Sequence, residues 1–165
     1  MPRSSMTRSL MLAAVLLVMA ARAFADPAPA VLAVGDALPP LALRDQNDVD
    51  VRIDAATRLV LFTRDMSSGG LVKEALAEGG KETLAAAHAV YVSDVSGMPS
   101  LVRSAFALPG LRKRPYPVAL DEGGTATRTL PFRAGQVTVL ALAAGKVTAI
   151  GFAATSTDLA ALLRP

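Results

Sequence analysis

Leu59-Val-Leu-Phe62 is an unbroken apolar run that gives way to Thr63-Arg-Asp-Met-Ser-Ser-Gly-Gly70, and the fold turns on this junction. Four apolar residues without alternation suit a strand covered on both faces, the habit of parallel α/β sheets. The polar, glycine-containing stretch from Thr63 to Gly70 reads as the loop at that strand's carboxyl end. Beyond it Leu71, Val72, Ala75 and Leu76 recur at helical spacing, with Lys73 and Glu74 on the other side and Gly79-Gly80 as a stop. Lys81 to Ala87 reads as a second short helix. His88-Ala-Val-Tyr-Val-Ser93 then repeats the buried-strand pattern, and Asp94 to Gly97 repeats the loop after it. Pro99 suits a first helical turn, and the helix it opens runs through Leu101, Val102, Ala105 and Phe106 to a stop at Pro109-Gly110.

Upstream, Leu41-Ala-Leu43 and Val49-Asp-Val-Arg-Ile53 alternate apolar and polar residues around Gln46-Asn47-Asp48, whose side chains tolerate a turn. This predicts a β-hairpin. Downstream, Pro117-Val-Ala-Leu120 is a short strand, Asp121-Glu-Gly-Gly124 a turn, and Thr125 to Leu130 a helical turn or two. Val137 to Leu142 and Lys146 to Ile150 flank Ala143-Ala-Gly145 as a second hairpin. Ser156 or Thr157 can cap a last helix over Leu159, Leu162 and Leu163. The order is hairpin, βαβα, β, hairpin, α, which predicts an α/β core.

The 165 residues hold 17 Lys+Arg against 14 Asp+Glu, one His, and neither Cys nor Trp. Thiol chemistry, iron–sulfur clusters and Cys-ligated zinc are thereby excluded. Three of the basic residues, Arg3, Arg8 and Arg22, fall in the first 25 positions, where there is no acid. The remainder is balanced, which argues against a nucleic-acid-binding domain. Arg3 and Arg8, the apolar run Leu10 to Ala21, and Ala23-Phe24-Ala25 have the layout of a signal peptide over residues 1–25, with Asp26 as the mature start. A spanning helix needs roughly 20 apolar residues, so no stable membrane anchor is expected once that leader is cleaved. The expected compartment is the bacterial periplasm or the outside. Residues 26–34, rich in Ala and Pro, form an extended lead-in, and residues 35–165 a single domain. About 140 residues suffice for one aliphatic core without disulfides or metal.

The element order from Gly35 to Leu163 resembles the thioredoxin-like superfamily, in particular its secreted thioredoxin-like and peroxiredoxin-like domains. Val34-Gly-Asp36-x-Leu38-Pro39, Asp45-Gln46 in the hairpin and Leu59-Val-Leu-Phe-Thr-Arg64 carry the resemblance. It implies a three-layer α/β/α sandwich with an N-terminal β-hairpin. In that superfamily the first core strand leads into one or two cysteines. Here Ser67 stands at the first thiol position and Gly70 at the second, and Val137 stands where a cis-proline is usual. A non-proline cis bond costs about 3 kcal/mol, so an ordinary trans peptide is expected there.

In open α/β sheets the crevice lies at the carboxyl ends of the strands. Arg64, Asp65, Met66, Ser67, Ser68, Asp94, Ser96 and Gln136 are the candidate lining residues, with Met98 adding soft apolar contact. No catalytic residue, metal ligand or cofactor is expected. His88 is the chain's one imidazole and starts the second core strand, at the opposite end from Ser67, which argues against a Ser–His pair. Asp94 and Ser96 suit local capping before Pro99. Arg112-Lys-Arg114 is the one basic cluster after the leader and reads as a solvated loop. These observations predict a non-redox secreted domain that binds a protein segment or small ligand at the former active-site crevice. Two alternatives stay open: an enzyme or redox-complex subunit using non-thiol groups there, and a structural domain with no specific site. A periplasmic protein or peptide is the expected partner, and nucleic acid is not.

Overall fold

The structure, a computed structural model, describes residues 30–164. The leader and the first residues of the lead-in lie outside the described residues. In chain order the elements are β1 (Leu43–Asp45), β2 (Asp50–Val51), β3 (Leu59–Thr63), α1 (Met66–Ala75), α2 (Gly80–Ala86) and β4 (Ala89–Asp94). There follow α3 (Ser100–Val102), a π-helical turn over Arg103–Ala107, α4 (Leu108–Arg112), β5 (Ala119–Asp121), β6 (Val137–Ala143), β7 (Lys146–Ala153) and α5 (Ser156–Leu162).

β3 is central because nothing in it is polar before Thr63: Val60, Leu61 and Phe62 have no solvent exposure. The sheet order is β2-β1-β5-β4-β3-β6-β7. β3, β4 and β5 are parallel, β6 runs antiparallel to β3, and the β1–β2 hairpin extends the sheet beyond β5. Both crossovers, β3 to β4 and β4 to β5, step the same way across the sheet. The right-handed rule therefore puts their helices on one face. Strand alternation sorts the core accordingly. Leu61, Tyr91, Val137 and Val139 meet Val72 and Leu76 of α1, Leu84 of α2 and Leu159 of α5. Val60, Phe62, Val92 and Leu140 face the other way, onto Leu32, Leu41 and Leu130. Among the described residues that third layer is built from irregular chain. Leu32, expected in the lead-in, is buried there and donates its amide to the Thr129 carbonyl at 2.8 Å.

Four local expectations are corrected. First, Met66–Gly70 is helical, because the Asp65 carboxylate accepts the Ser68 amide and caps α1 five residues earlier than the apolar spacing suggests. Second, Pro109-Gly110 does not end its helix. The Leu108 amide reaches back to the Arg103 carbonyl, a π-type turn, and Pro109 then falls in the first turn of α4, where a missing amide is tolerated. Third, Thr125 to Leu130 forms no helix: the Thr127 amide and hydroxyl are both held by Asp121 Oδ2, at 2.8 and 3.0 Å. Fourth, the cap of α5 is Thr155, which accepts from the Asp158 amide.

Two backbone details matter for packing. Gly80 opens α2 against Tyr116, and a Cβ there would stand 2.6 Å from the Tyr116 Cδ1 atom. Ala143 and Lys146 pair across the β6–β7 turn, leaving Ala144 and Gly145 with φ of 48° and 76°, the conformation that matches strand twist.

Candidate functional site

The carboxyl ends of β3 and β4 meet two different environments. On the Phe62 side, Arg64 Nε donates to Asp94 Oδ2 at 2.8 Å and Nη2 to the Thr127 carbonyl at 3.3 Å. Its guanidinium lies 5.4 Å from both the Phe62 and Phe132 ring centroids, a stacking cations favour. Asp94 is buried, and its other oxygen accepts the Ser96 amide at 2.9 Å. Burial alone would raise its pKa. The Ser96 hydroxyl and amide and the Arg64 charge outweigh that, and its carboxyl sits below the ordinary value. Thr127 Oγ1 bridges Asp94 and Asp121, and Asp121 Oδ1 holds the Gly123 and Gly124 amides. The cluster is internally satisfied.

Asp65 sits between the two environments. Its Oδ1 accepts the Ser68 amide at 2.7 Å and its Oδ2 the Gly135 amide at 2.8 Å, so one carboxylate pins α1 to the loop before β6. Burial pushes its pKa up, but the Ser68 and Gly135 amides pull harder, and the net shift is downward. Ser68 is fully buried and donates its hydroxyl to the Asp65 carbonyl at 3.1 Å. Ser67 is exposed in the first turn of α1. The amide of Gln136, half-buried, donates to the Arg133 carbonyl. No cis peptide occurs among the described residues, the bond before Val137 included.

On the helical side lies an open cleft of about 770 Å³ between α1 and the Ser100–Arg112 helical segment. Met66, Leu76, Val95, Met98, Phe106 and Leu111 give it apolar walls, and Lys73, Lys113 and Arg114 bring three cations. Tyr91 and Tyr116, with ring centroids 6.5 Å apart, close the floor. The Tyr91 hydroxyl lies 3.1 Å from Thr63 Oγ1, and burial pushes its pKa above the ordinary tyrosine value. Arg114 Nη1 donates to the Tyr116 hydroxyl at 2.7 Å. Met66 and Phe106 are 83% and 74% exposed, more than an apolar side chain without a partner needs to be. Gly70 and Gly110 also line the space, and a Cβ at either would meet nothing within 4 Å. Glycine inside a helix is disfavoured against alanine by about 1 kcal/mol, and packing gives no return for it at these two positions.

Of the sequence-derived candidates, Asp65 and Met66 line this cleft, as does Met98. Arg64, Ser67, Ser68, Asp94, Ser96 and Gln136 are not in its lining. His88 lines a separate cleft at the other end of β3, with Leu59 and Ala141, so no imidazole stands near Ser67. Among the described residues no three His, Cys, Asp or Glu side chains gather as metal ligands. Sequence reasoning missed Lys73, Phe106, Arg114 and the two tyrosines as neighbours, since they come together only through the two crossovers.

No family model matches the sequence, and no curated protein matches it. Solved structures do. The peroxidoxin BcpB of Mycobacterium tuberculosis superposes with a TM-score of 0.52 at 20% identity, over 81% of this chain and 97% of that one. Reduced Prx3 of Vibrio vulnificus gives 0.51 at 16%, over 81% and 99%. StoA of Bacillus subtilis gives 0.50 at 12%, over 77% and 98%. The chain has the thioredoxin-like fold. Within that fold it is cysteine-free, and the cleft lies beside the first turns of α1.

Proposed function

We propose that this thioredoxin-like domain is a thiol-free, exported binding module whose working surface is the cleft between α1 and the Ser100–Arg112 segment. The observation that carries the reading is an open cleft of about 770 Å³ with exposed Met66 and Phe106 on its walls. Its volume falls within the range of ligand pockets, about 300–1,000 Å³. A π-helical turn over Arg103–Ala107 lies in the wall, a distortion that recurs at functional sites. Acyl transfer at Ser67 is the weaker reading, because no imidazole base is near it. Export rests on the layout of residues 1–25.

The test is occupancy. Protein isolated from its native extract under non-denaturing conditions is expected to carry a bound species by native mass spectrometry, absent from Gly70→Trp, whose indole would fill the cleft from an unobstructed Cβ position. Wild-type protein that emerges empty, and that gains no thermal stability on return to the extract, overturns the reading.

A further inference from the structure

We infer that the cleft takes a long-chain carboxylate, an anion with an unbranched hydrocarbon tail; this rests on the cleft being the binding site proposed above. Charge is the first argument. Lys73 comes from α1, Lys113 from the end of α4 and Arg114 from the segment before β5, and none of the three is ion-paired among the described residues. The one acid in the lining, Asp65, has both oxygens on backbone amides. Its position at the start of α1 also repels an anion from that helix terminus. The favourable place for a carboxylate is therefore the cationic side, beside Lys113 and Arg114, with Lys73 across from them.

Hydrogen-bonding capacity is the second argument. The one strand in the lining, β4, is paired on both sides by β3 and β5, so an extended peptide would find no strand edge to pair with. A hydrocarbon tail makes no such demand. Met66 and Met98 are flexible, polarizable side chains that adapt to a tail of varied shape. Both tyrosine rings are nearly fully buried, at 2% and 4% exposure, and so present no open face on which a base or aromatic ring would stack. What the cleft offers is apolar contact along the walls and positive charge at one side.

The chain contains two tyrosines and no tryptophan, and both tyrosines line the cleft, so intrinsic fluorescence reports the site directly. The protein produced from its full sequence is titrated with octanoate, decanoate and dodecanoate below micelle-forming concentrations. Saturable binding is expected, tightening about tenfold for each two added methylenes. Methyl dodecanoate, with the same tail and no charge, is expected to bind at least about tenfold more weakly. Lys73→Gln with Lys113→Gln, which leaves only Arg114 as a cation in the lining, is expected to reduce that preference severalfold by weakening the acid and not the ester. Calorimetry on Gly70→Trp, and on Gly110→Trp from the opposite wall should the first variant misfold, is expected to show no dodecanoate binding. Equal affinity for acid and ester, or no dependence on tail length, overturns the inference. The neutral dye Nile red separates the two levels: dye bound by wild type and excluded by the plugged variants, with dodecanoate unbound, rejects the carboxylate and keeps the cleft. Neither probe bound rejects both.

Discussion

Asp94, Asp121, Thr127 and Arg64 on one side of the β3–β4 carboxyl ends, and Lys73, Lys113 and Arg114 on the other, handle their polar groups in opposite ways. In the first group Asp121 alone accepts the Gly123, Gly124 and Thr127 amides and the Thr127 hydroxyl, and Asp94 takes the Arg64 guanidinium. In the second, the lysines have no carboxylate partner among the described residues, and apolar side chains beside them stay in water. The contrast teaches how to read polar residues at a strand end. Charged groups whose hydrogen bonds are complete hold the fold together, whereas charged groups left incomplete beside exposed apolar surface are available to something else.

The sharpest way to break this comparison is Asp121→Ala. Four hydrogen bonds to one buried carboxylate disappear and the Thr127 amide loses its acceptor, so the unfolding free energy is expected to fall by about 3 kcal/mol. Lys113→Gln is expected to change it by no more than about 0.5 kcal/mol, as for an unengaged surface residue. Urea denaturation measures both. A lysine change that equals or exceeds the aspartate change would show that the two regions do not differ in kind.

Acid titration sharpens the comparison at a smaller scale. Asp65 and Asp94 have native pKa values below the ordinary one, so the native state binds their protons less readily than the unfolded chain. The stability they contribute is complete above the unfolded aspartate pKa of about 3.9 and is lost as pH falls through the lower native values. Unfolding free energy measured from about pH 5 downward is therefore expected to decline most steeply below about pH 4. Asp65→Asn, which removes one of the two depressed groups, is expected to flatten that decline in part. An unchanged slope would mean that Asp65's bonds to Ser68 and Gly135 do not favour its charged form.

The central strands were legible in the sequence because Leu59-Val-Leu-Phe62 and Ala89-Val-Tyr-Val92 are covered on both faces and need no partner information to be recognised. The start of α1 was not, since Met66-Ser-Ser-Gly-Gly70 has loop composition and the deciding contact is one capping carboxylate. Thr125 to Leu130, three of whose six residues are β-branched Thr, has no strong helical preference, and Asp121 Oδ2 outside the segment holds the Thr127 amide and hydroxyl instead. The candidate site shows the same division. Asp65 and Met66 were within reach, being next to the strand. Lys73, Phe106 and Arg114 lie on three separate elements, and no local pattern relates them. The signals available were the lone basic cluster at Arg112 to Arg114 and the glycines within helical stretches.

Those glycines give the finest test. At Gly70 an added Cβ meets no atom within 4 Å, and the helix around it would gain from alanine's lower backbone entropy loss. Gly70→Ala is therefore expected to raise stability by about 0.5–1 kcal/mol in urea denaturation. The same exchange at Gly80 drives a Cβ into the Tyr116 ring and is expected to lower it. Opposite signs for one chemical change would mean that Gly80 is required by packing and that Gly70 is retained against the interest of stability, in the wall of a space that the fold keeps open. A loss of stability at Gly70 would place it with Gly80, and the helical side would then be as internally committed as the side around Asp121.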